Sequence, residues 1–391
     1  MPRSSALPSL LALLASFALL ACSAETPAPD VPPLVPGQGG GAPNPGASAG
    51  ASDTTSGVGA APGSPTPLPT APPLVGPNAP AEPTPRDMAK ASWSPMSTVG
   101  APADAECPSA VWTGSKMLVV GGSHSRTLVT AYDPVTDTWS SLPSNNMPPG
   151  RVEASAVWTG SKLIQWGGRQ VTAGCSPFCW YYEGYTYDPD KGSWTQNANA
   201  PVVDGLYFAR FGHAAVWTGT KMFVYGGNFP SIVFGLAQTY DPTSNQWAAA
   251  PTAPEARSMV AGTMMGDKAL FWGGADSVDP STAAAAYEAV VFDPTTQKWS
   301  AALKPSPLKP RAGVSLVWTG REAVVWGGTL GAETFGDGAA YNPQTGVWSV
   351  LPNKGAPSAR RCAASVWTGK ETIVWGGVSG GTAQASGAIL R

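Results

Sequence analysis

The sequence predicts an all-β fold made of six copies of one four-stranded unit, and three observations carry this prediction. Glycine pairs recur six times, at spacings of 46 to 59 residues. A Trp-Thr-Gly turn precedes five of the pairs, at Trp112, Trp158, Trp217, Trp318 and Trp367. An aromatic residue followed by Asp-Pro or Asn-Pro comes after the first five pairs, and a tryptophan lies six residues beyond each Asp or Asn. Short strands joined by such turns are typical of antiparallel meanders.

The units follow one another along the chain in a single register. The glycine pairs are Gly121-Gly122, Gly167-Gly168, Gly226-Gly227, Gly273-Gly274, Gly327-Gly328 and Gly376-Gly377. The aromatic positions are Tyr132, Tyr187, Tyr240, Phe292 and Tyr341, and the tryptophans that follow are Trp139, Trp194, Trp247, Trp299 and Trp348. One four-stranded sheet cannot bury both of its faces, so the units are expected to stack around a common axis.

The sixth unit is incomplete at the end of the chain. It stops at Arg391, where its Tyr-Asp-Pro turn should begin. Asp87 is followed six residues later by Trp93, the spacing of the other five units. We therefore expect the segment around Trp93 to form the outer strand of the last unit and to close the ring, which leaves no long unpaired sheet edge.

These features resemble the kelch repeat, in which a glycine pair closes the second strand, an aromatic lies on the third and a tryptophan on the fourth. The resemblance covers nearly all of residues 87–391. It implies a kelch-type, six-bladed β-propeller similar to the central domain of galactose oxidase and to bacterial kelch-repeat proteins.

The first 86 residues are predicted to lie outside this domain. Residues 1–21 have the features of a signal peptide: Arg3, an apolar run over 6–20, and Leu19-Leu20-Ala21-Cys22. The last four resemble the lipobox of bacterial lipoproteins, which implies lipidation of Cys22; the alternative is an ordinary secretory signal. By the same resemblance, Ser23 suggests the outer membrane. Residues 22–86 are rich in Pro, Ala, Gly and Ser and predict a disordered tether.

Composition limits the partners. Charged residues make up 12% of the chain and the formal net charge is −2. A nucleic-acid partner would require a basic face, so none is expected. Membrane contact is expected only through the N-terminal lipid, and the domain is expected to be a monomer.

Four cysteines remain after Cys22. Cys107 and Cys362 each lie four residues before equivalent valines of the inner strands in repeats one and six, which flank the ring closure. A disulfide across this seam is proposed, with two free buried thiols as the alternative. Cys175 and Cys179 would then close a small loop. No histidine lies near either pair in sequence, so a zinc site is not expected.

The connections between strands differ on the two faces of the predicted ring. With strands a to d numbered outward, the a–b and c–d turns repeat nearly unchanged, whereas the b–c and d–a loops vary in length. The enlarged loops around units two and three gather aromatic rings, which suit a carbohydrate or a protein ligand. The candidate ligand-binding aromatics are Trp180, Tyr181, Tyr182, Tyr207 and Phe208. The alternative is a self-packed lobe closed by its own disulfide.

An arginine recurs six residues before the inner-strand valine position in five of the six repeats. Because a guanidinium forms bidentate contacts with anions, the set could form a clamp at the channel mouth. The alternative is hydrogen bonding between blades that is encoded in every repeat. The set consists of Arg151, Arg210, Arg257, Arg311 and Arg360, and Ala105 replaces it in repeat one.

Binding is favoured over catalysis, and no cofactor or metal is expected. The copper site of galactose oxidase needs histidines, and this chain has only His124 and His213, without a matching constellation. The best enzyme alternative is a sugar mutarotase or epimerase resembling the bacterial kelch sialic-acid mutarotases. Such an enzyme would use Glu153 and the arginine set at the channel mouth.

Overall fold

The computed structural model describes residues 88–123, 125–170, 179–203, 206–207, 209–229, 232–277, 289–300 and 306–391, with the side chains of 202–207 left aside. All of these residues belong to one compact unit, Pro69–Arg391. Within these ranges, no helix is long and apolar enough to cross a membrane. The one helix bounded there is a short 3-10 helix, Met88–Lys90.

Six four-stranded antiparallel sheets form the blades of a propeller, which confirms the predicted all-β fold. Strands a to d of blade 1 are Ser109–Trp112, Met117–Val120, Val129–Asp133 and Thr138–Ser141. Those of blade 2 are Ser155–Trp158, Leu163–Trp166, Gly184–Asp188 and Ser193–Gln196. Those of blade 3 are Phe211–Trp217, Met222–Phe229, Ala237–Asp241 and Gln246–Ala250.

Blades 4 to 6 repeat this arrangement. Blade 4 consists of Ala261–Met265, Lys268–Trp272, Ala289–Asp293 and Lys298–Ser300. Blade 5 consists of Ser315–Trp318, Ala323–Trp326, Gly338–Asn342 and Val347–Val350. Blade 6 consists of Ala364–Trp367, Thr372–Trp375, Gly387–Leu390 and, as its strand d, Trp93–Pro95. The a strands contact one another in sequence, and strand a of blade 6 contacts strand a of blade 1, so the inner strands form a closed ring.

Short ribbons extend several b–c loops. They pair Arg169–Gln170 with Cys179–Trp180, Thr329–Leu330 with Glu333–Thr334, and Val378–Ser379 with Thr382–Ala383. Ile232–Val233 pairs with the end of strand b in blade 3, and Val202–Val203 pairs with Leu206–Tyr207 before that blade begins.

The split last blade is confirmed. Trp93 pairs with Leu390 and Pro95 with Ala388, so the N-terminal strand is the outer strand of blade 6. The Trp93 indole donates a 2.8 Å hydrogen bond to the carbonyl oxygen of Pro352, in blade 5. The closing strand is therefore attached to its own sheet and to the neighbouring blade. Asp87 lies outside the described residues.

Close backbone contact between blades explains the glycine pairs. At Gly226, φ is +76° and an added Cβ would lie 2.5 Å from the carbonyl oxygen of Arg257 in the next blade. The amide of the second glycine in each pair donates to the carbonyl at the recurring arginine position of the following blade. The six bonds join Gly122 to Arg151, Gly168 to Arg210, Gly227 to Arg257, Gly274 to Arg311, Gly328 to Arg360 and Gly377 to Ala105.

A ring of six residues, which we call the belt, surrounds the channel just above the inner strands. Each belt residue lies two positions after the recurring arginine or Ala105, and each has a positive φ, between 45° and 64°. The amides of five of them, all except Cys107, donate to the carbonyl of the belt residue in the preceding blade. The belt consists of Cys107, Glu153, Gly212, Met259, Gly313 and Cys362.

The two faces of the ring differ as expected. On what we call the turn face, the Thr113 hydroxyl bonds the backbone of Lys116, and the Asp133 carboxylate accepts from the amide of Val135. Equivalent Thr and Asp or Asn contacts recur in other blades. The opposite side, the loop face, carries the b–c and d–a connections.

Candidate functional site

The five recurring arginines belong to what we call the frame, which consists of the glycine pairs, these arginines and the rings that pack on them. Their exposed fractions are between 0 and 2%. In each, Nη1 donates to the carbonyl of the first glycine of the pair in its own blade, as Arg151 does to Gly167 at 3.1 Å and Arg360 does to Gly376 at 3.1 Å. Burial is the main cause that lowers the pKa of Arg210, to about 10.

These contacts correct the expected anion clamp. The guanidinium groups of Arg151, Arg210, Arg257, Arg311 and Arg360 are enclosed and already bonded, so they cannot reach a ligand without breaking those bonds. Hydrogen bonding encoded by the repeat agrees with the geometry. However, the guanidinium bonds lie within one blade, and it is the backbone carbonyl of each arginine that reaches the preceding blade.

Tyr181 is also part of the frame, which corrects its expected ligand contact. It is 8% exposed, and the guanidinium carbon of Arg151 lies 4.4 Å from its ring centroid. Phe335 packs on Arg311 in the same way at 3.9 Å, and Phe234 lies 5.4 Å from Arg210. Burial raises the pKa of the Tyr181 phenol, because the ionised form would lose hydration.

The other candidate aromatics are placed differently. Trp180 is half-buried on its ribbon, and its ring meets Phe229 of blade 3 edge-on at 5.2 Å. Tyr182 is half-buried, and its carbonyl accepts from the indole of Trp166. The backbone of Tyr207 pairs with Val202; its side chain, like all of Phe208, lies outside what the structure describes.

A cavity of about 330 Å³ opens at the channel mouth on the loop face. Its walls come from the residues directly after the recurring arginines and directly after the glycine pairs, where strands a and b are prolonged by backbone bridges. We call this cavity the mouth. Residues that line it include Glu153, Arg169, Phe211, Asn228, Ser258 and Leu330, together with Arg361.

One side of the mouth is charged. Both carboxylate oxygens of Glu153 accept from Arg169, from Nε at 2.6 Å and from Nη2 at 3.1 Å. Arg361 Nη1 lies 3.5 Å from Glu153 Oε1. The Glu153 side chain is 4% exposed, whereas that of Arg361 is 30% exposed. The partner carboxylate therefore lies beneath the surface, and a guanidinium faces the cavity.

The opposite side of the mouth is neutral. The Ser258 hydroxyl donates to the Asn228 amide oxygen at 2.6 Å, and both residues are buried. Phe211 is half-buried, and the guanidinium carbon of Arg169 lies 5.1 Å from its ring centroid. Leu330, on the blade 5 ribbon, adds a half-buried apolar side chain. The mouth thus offers charged, aromatic, amide and apolar groups within one cavity.

A smaller cavity of about 140 Å³ lies at the belt and is lined by the six belt residues and the residues that follow them. One of these is His213, whose Nε2 lies 2.8 Å from the Ser155 hydroxyl. Burial is the main cause that lowers the pKa of His213, to about 3, so its ring is neutral near pH 7. His124 lies outside the described residues. Among the described residues, no group of three or more His, Cys, Asp or Glu side chains could hold a metal ion.

The Cys107–Cys362 disulfide is confirmed, with the two Cα atoms 4.9 Å apart. It lies across the seam between blades 6 and 1, as the repeat register predicted. Cys179 is disulfide-bonded. Cys175 lies outside the described residues, so the Cys175–Cys179 bond stays a prediction.

The sequence analysis did not single out Arg169, Phe211, Asn228, Ser258, Leu330 and Arg361 as site residues. A signal for most of them was present: they occupy the two repeat positions on the loop face where the chemistry changes from blade to blade. The position after the recurring arginine is occupied by Glu106, Val152, Phe211, Ser258, Ala312 and Arg361.

Two comparisons with known proteins agree with this architecture. A family model described as the KLHDC2/KLHL20/DRC7 Kelch-repeats domain matches residues 153–377, more than half of the 391 residues. The chain is also similar to the Kelch-like protein terF of Aspergillus terreus (strain NIH 2624 / FGSC A1156), with 26% identity over 117 residues. That alignment covers 29% of this chain and 25% of the relative, so it spans about a quarter of the relative's length.

Proposed function

The chain belongs to the family of kelch-repeat domains, and from that premise we propose that it is a recognition module that binds a protein through its loop face. The mouth is the centre of the proposed binding surface. The domain acts as a monomer, and its partner is a protein segment that places one side chain in the mouth. A carbohydrate is the second candidate ligand, because half-buried aromatic rings such as Trp180 lie on the same face.

The observation that carries the proposal is the contrast between frame and mouth. The glycine pairs, the recurring arginines and Tyr181 are occupied by contacts within and between the blades. The mouth residues vary from blade to blade and line an open cavity of about 330 Å³. That volume is at the lower end of typical ligand pockets and suits a single side chain or sugar ring.

A pair of matched variants in blade 5 tests the proposal. Leu330→Arg puts a long charged side chain into the mouth, whereas Val350→Arg makes the same kind of change on the outer strand, where Val350 is 58% exposed. The full chain is screened against a peptide library and a glycan array, and the affinity of each hit is then measured for both variants.

Leu330→Arg is expected to weaken binding at least about tenfold, as loss of a central contact does. Val350→Arg is expected to leave the affinity unchanged. Peptide hits with this pattern support a protein ligand, and glycan hits with this pattern support the second candidate. Equal effects of the two variants would contradict a binding site at the mouth.

The geometry favours recognition over sugar mutarotation or epimerisation. A catalytic base must lie within hydrogen-bond reach of the proton that it removes. Both oxygens of Glu153 accept hydrogen bonds from Arg169, and Arg361 lies beside one of them. The Glu153 side chain is only 4% exposed, so little of the carboxylate faces a substrate in the mouth.

We further propose that the domain is held outside the cytoplasm, at the outer membrane, by a lipid on Cys22. The support is the run over 6–20 with Arg3 before it and Leu19-Leu20-Ala21-Cys22 at its end. Cys22→Ser should remove incorporation of labelled palmitate and move the protein from the membrane fraction to the soluble fraction. Unchanged labelling and fractionation would refute the anchor.

A further inference from the structure

The belt is closed differently at one of its six seams. Five seams are joined by belt hydrogen bonds. The first runs from the Glu153 amide to the Cys107 carbonyl at 3.2 Å, and the last runs from the Cys362 amide to the Gly313 carbonyl at 2.5 Å. At the sixth seam, the two belt residues are Cys107 and Cys362, and a disulfide joins them. The covalent bond therefore lies on the channel wall, and both cysteines line the 140 Å³ cavity.

A positive charge lies against both sulfur atoms. Arg361 Nη1 is 3.7 Å from Cys107 Sγ and 3.8 Å from Cys362 Sγ. The nearby Glu153 carboxylate, 4.0 Å from Cys107 Sγ, is paired with Arg169 as well as with Arg361. A guanidinium keeps its proton in proteins, so the charge at the sulfurs is permanent.

The two sulfurs differ in access. Cys107 is 3% exposed, whereas Cys362 is half-buried. Arg361 also lines the mouth. The Arg361 guanidinium is therefore in contact with the mouth and with both sulfur atoms.

We propose that the Cys107–Cys362 disulfide is a thiol–disulfide exchange site for small anionic thiols, with Arg361 attracting the thiol and stabilising the departing thiolate. The sulfur of the incoming thiolate forms a bond to Cys362 Sγ while the Cys107–Cys362 bond breaks. The electron pair stays on Cys107 Sγ as a thiolate beside Arg361. One negative charge enters and one remains, and the product is a mixed disulfide on Cys362. A nearby cation favours such a thiolate as a leaving group.

The seam has other attachments that persist after the exchange. The Gly377 amide donates to the Ala105 carbonyl at 2.8 Å across the same two blades. Strand d of blade 6 remains paired with Gly387–Leu390. Exchange is therefore expected in the folded protein rather than after unfolding.

The test compares three small thiols that differ in charge: 2-mercaptoethanesulfonate, 2-mercaptoethanol and cysteamine. The full chain is treated at equal thiolate concentration and low ionic strength, quenched by alkylation, and digested for mass spectrometry. Peptide mapping reports Cys107 and Cys362 separately from the other cysteines. The anionic thiol is expected to react at least about tenfold faster than the cationic one, because unscreened charges interact strongly at short range.

Three variants assign the effect. Arg361→Gln should remove the preference for the anionic thiol, and Arg361→Lys should restore most of it. Arg391→Gln removes the same charge from blade 6 on the turn face, where Arg391 pairs with Glu371, and should behave like the unchanged protein.

Three results would overturn the proposal. The first is equal reaction rates for the three thiols. The second is opening of the disulfide only at the rate of global unfolding measured by hydrogen exchange. The third is a charge preference that survives in Arg361→Gln.

Discussion

Substitution of Trp93 by alanine tests whether the N-terminal strand completes the propeller. Trp93 is 7% exposed and lies in a core cluster with Trp326, their ring centroids 5.8 Å apart. Its indole also donates to the Pro352 carbonyl at 2.8 Å. Truncation of a buried tryptophan costs about 3–5 kcal/mol, and loss of the hydrogen bond adds about 1 kcal/mol. We expect Trp93→Ala to lower the free energy of unfolding by about 4–6 kcal/mol in total.

The assay is equilibrium urea unfolding followed by tryptophan fluorescence and circular dichroism. The matched control is Trp139→Ala, the equivalent position of blade 1, which is 8% exposed and donates to the Ser97 carbonyl at 2.8 Å. Both variants should lose a similar free energy. Deletion of residues 87–95 should abolish the cooperative transition, because Gly387–Leu390 would become an unpaired edge. A stable Trp93→Ala beside a destabilised Trp139→Ala would refute closure by this strand.

Three further predictions concern the frame. Gly226→Ala should cost at least about 2 kcal/mol more than Gly219→Ala in urea unfolding; both have positive φ, but an added Cβ meets the Arg257 oxygen only at Gly226. Equal costs would contradict the close-contact argument. Stability should fall as the pH drops from about 6.5 towards 3, because the pKa of His213 is lowered to about 3 and the unfolded chain binds the proton first; a slope unchanged in His213→Gln would contradict this. Asn342→Asp should destabilise by about 1 kcal/mol, because one step beyond the Ala323–Tyr341 pair the strand register sets it opposite Glu322, and adding Glu322→Gln to that variant should restore the loss; no change in either variant would contradict the pairing.

The ring closure and its disulfide could be predicted because both depend only on repeat register. The interval from Asp87 to Trp93 matched the other units, and the structure pairs Trp93 with Leu390. Cys107 and Cys362 occupied equivalent positions in the repeats that flank the seam, and their Cα atoms lie 4.9 Å apart. Equivalent positions on neighbouring inner strands lie at one height in a propeller, so counting along the sequence was sufficient.

The site could be predicted less well, because the repeat register gives the position of a residue along the chain but not the direction of its side chain. The arginines were placed correctly on the loop-face side of the inner strands, but their guanidinium groups turn into the blade to reach glycine carbonyls. Loop length concealed the role of Tyr181. Tyr181 lies further from its glycine pair than Phe234 and Phe335 lie from theirs. All three, however, lie six residues before the aromatic position of their repeat, which is Tyr187 in blade 2. Arg361 required the structure, because its ion pair with Glu153 joins blade 6 to blade 2.

The most direct test of the account is to find where a bound ligand lies on the chain. A peptide or glycan selected on the full chain is synthesised with a photoreactive group, crosslinked, and mapped by mass spectrometry. The account predicts crosslinks at mouth residues such as Phe211, Ser258 and Leu330. Crosslinks confined to Val135 on the turn face, or to Val347 on the outer strand of blade 5, would contradict it.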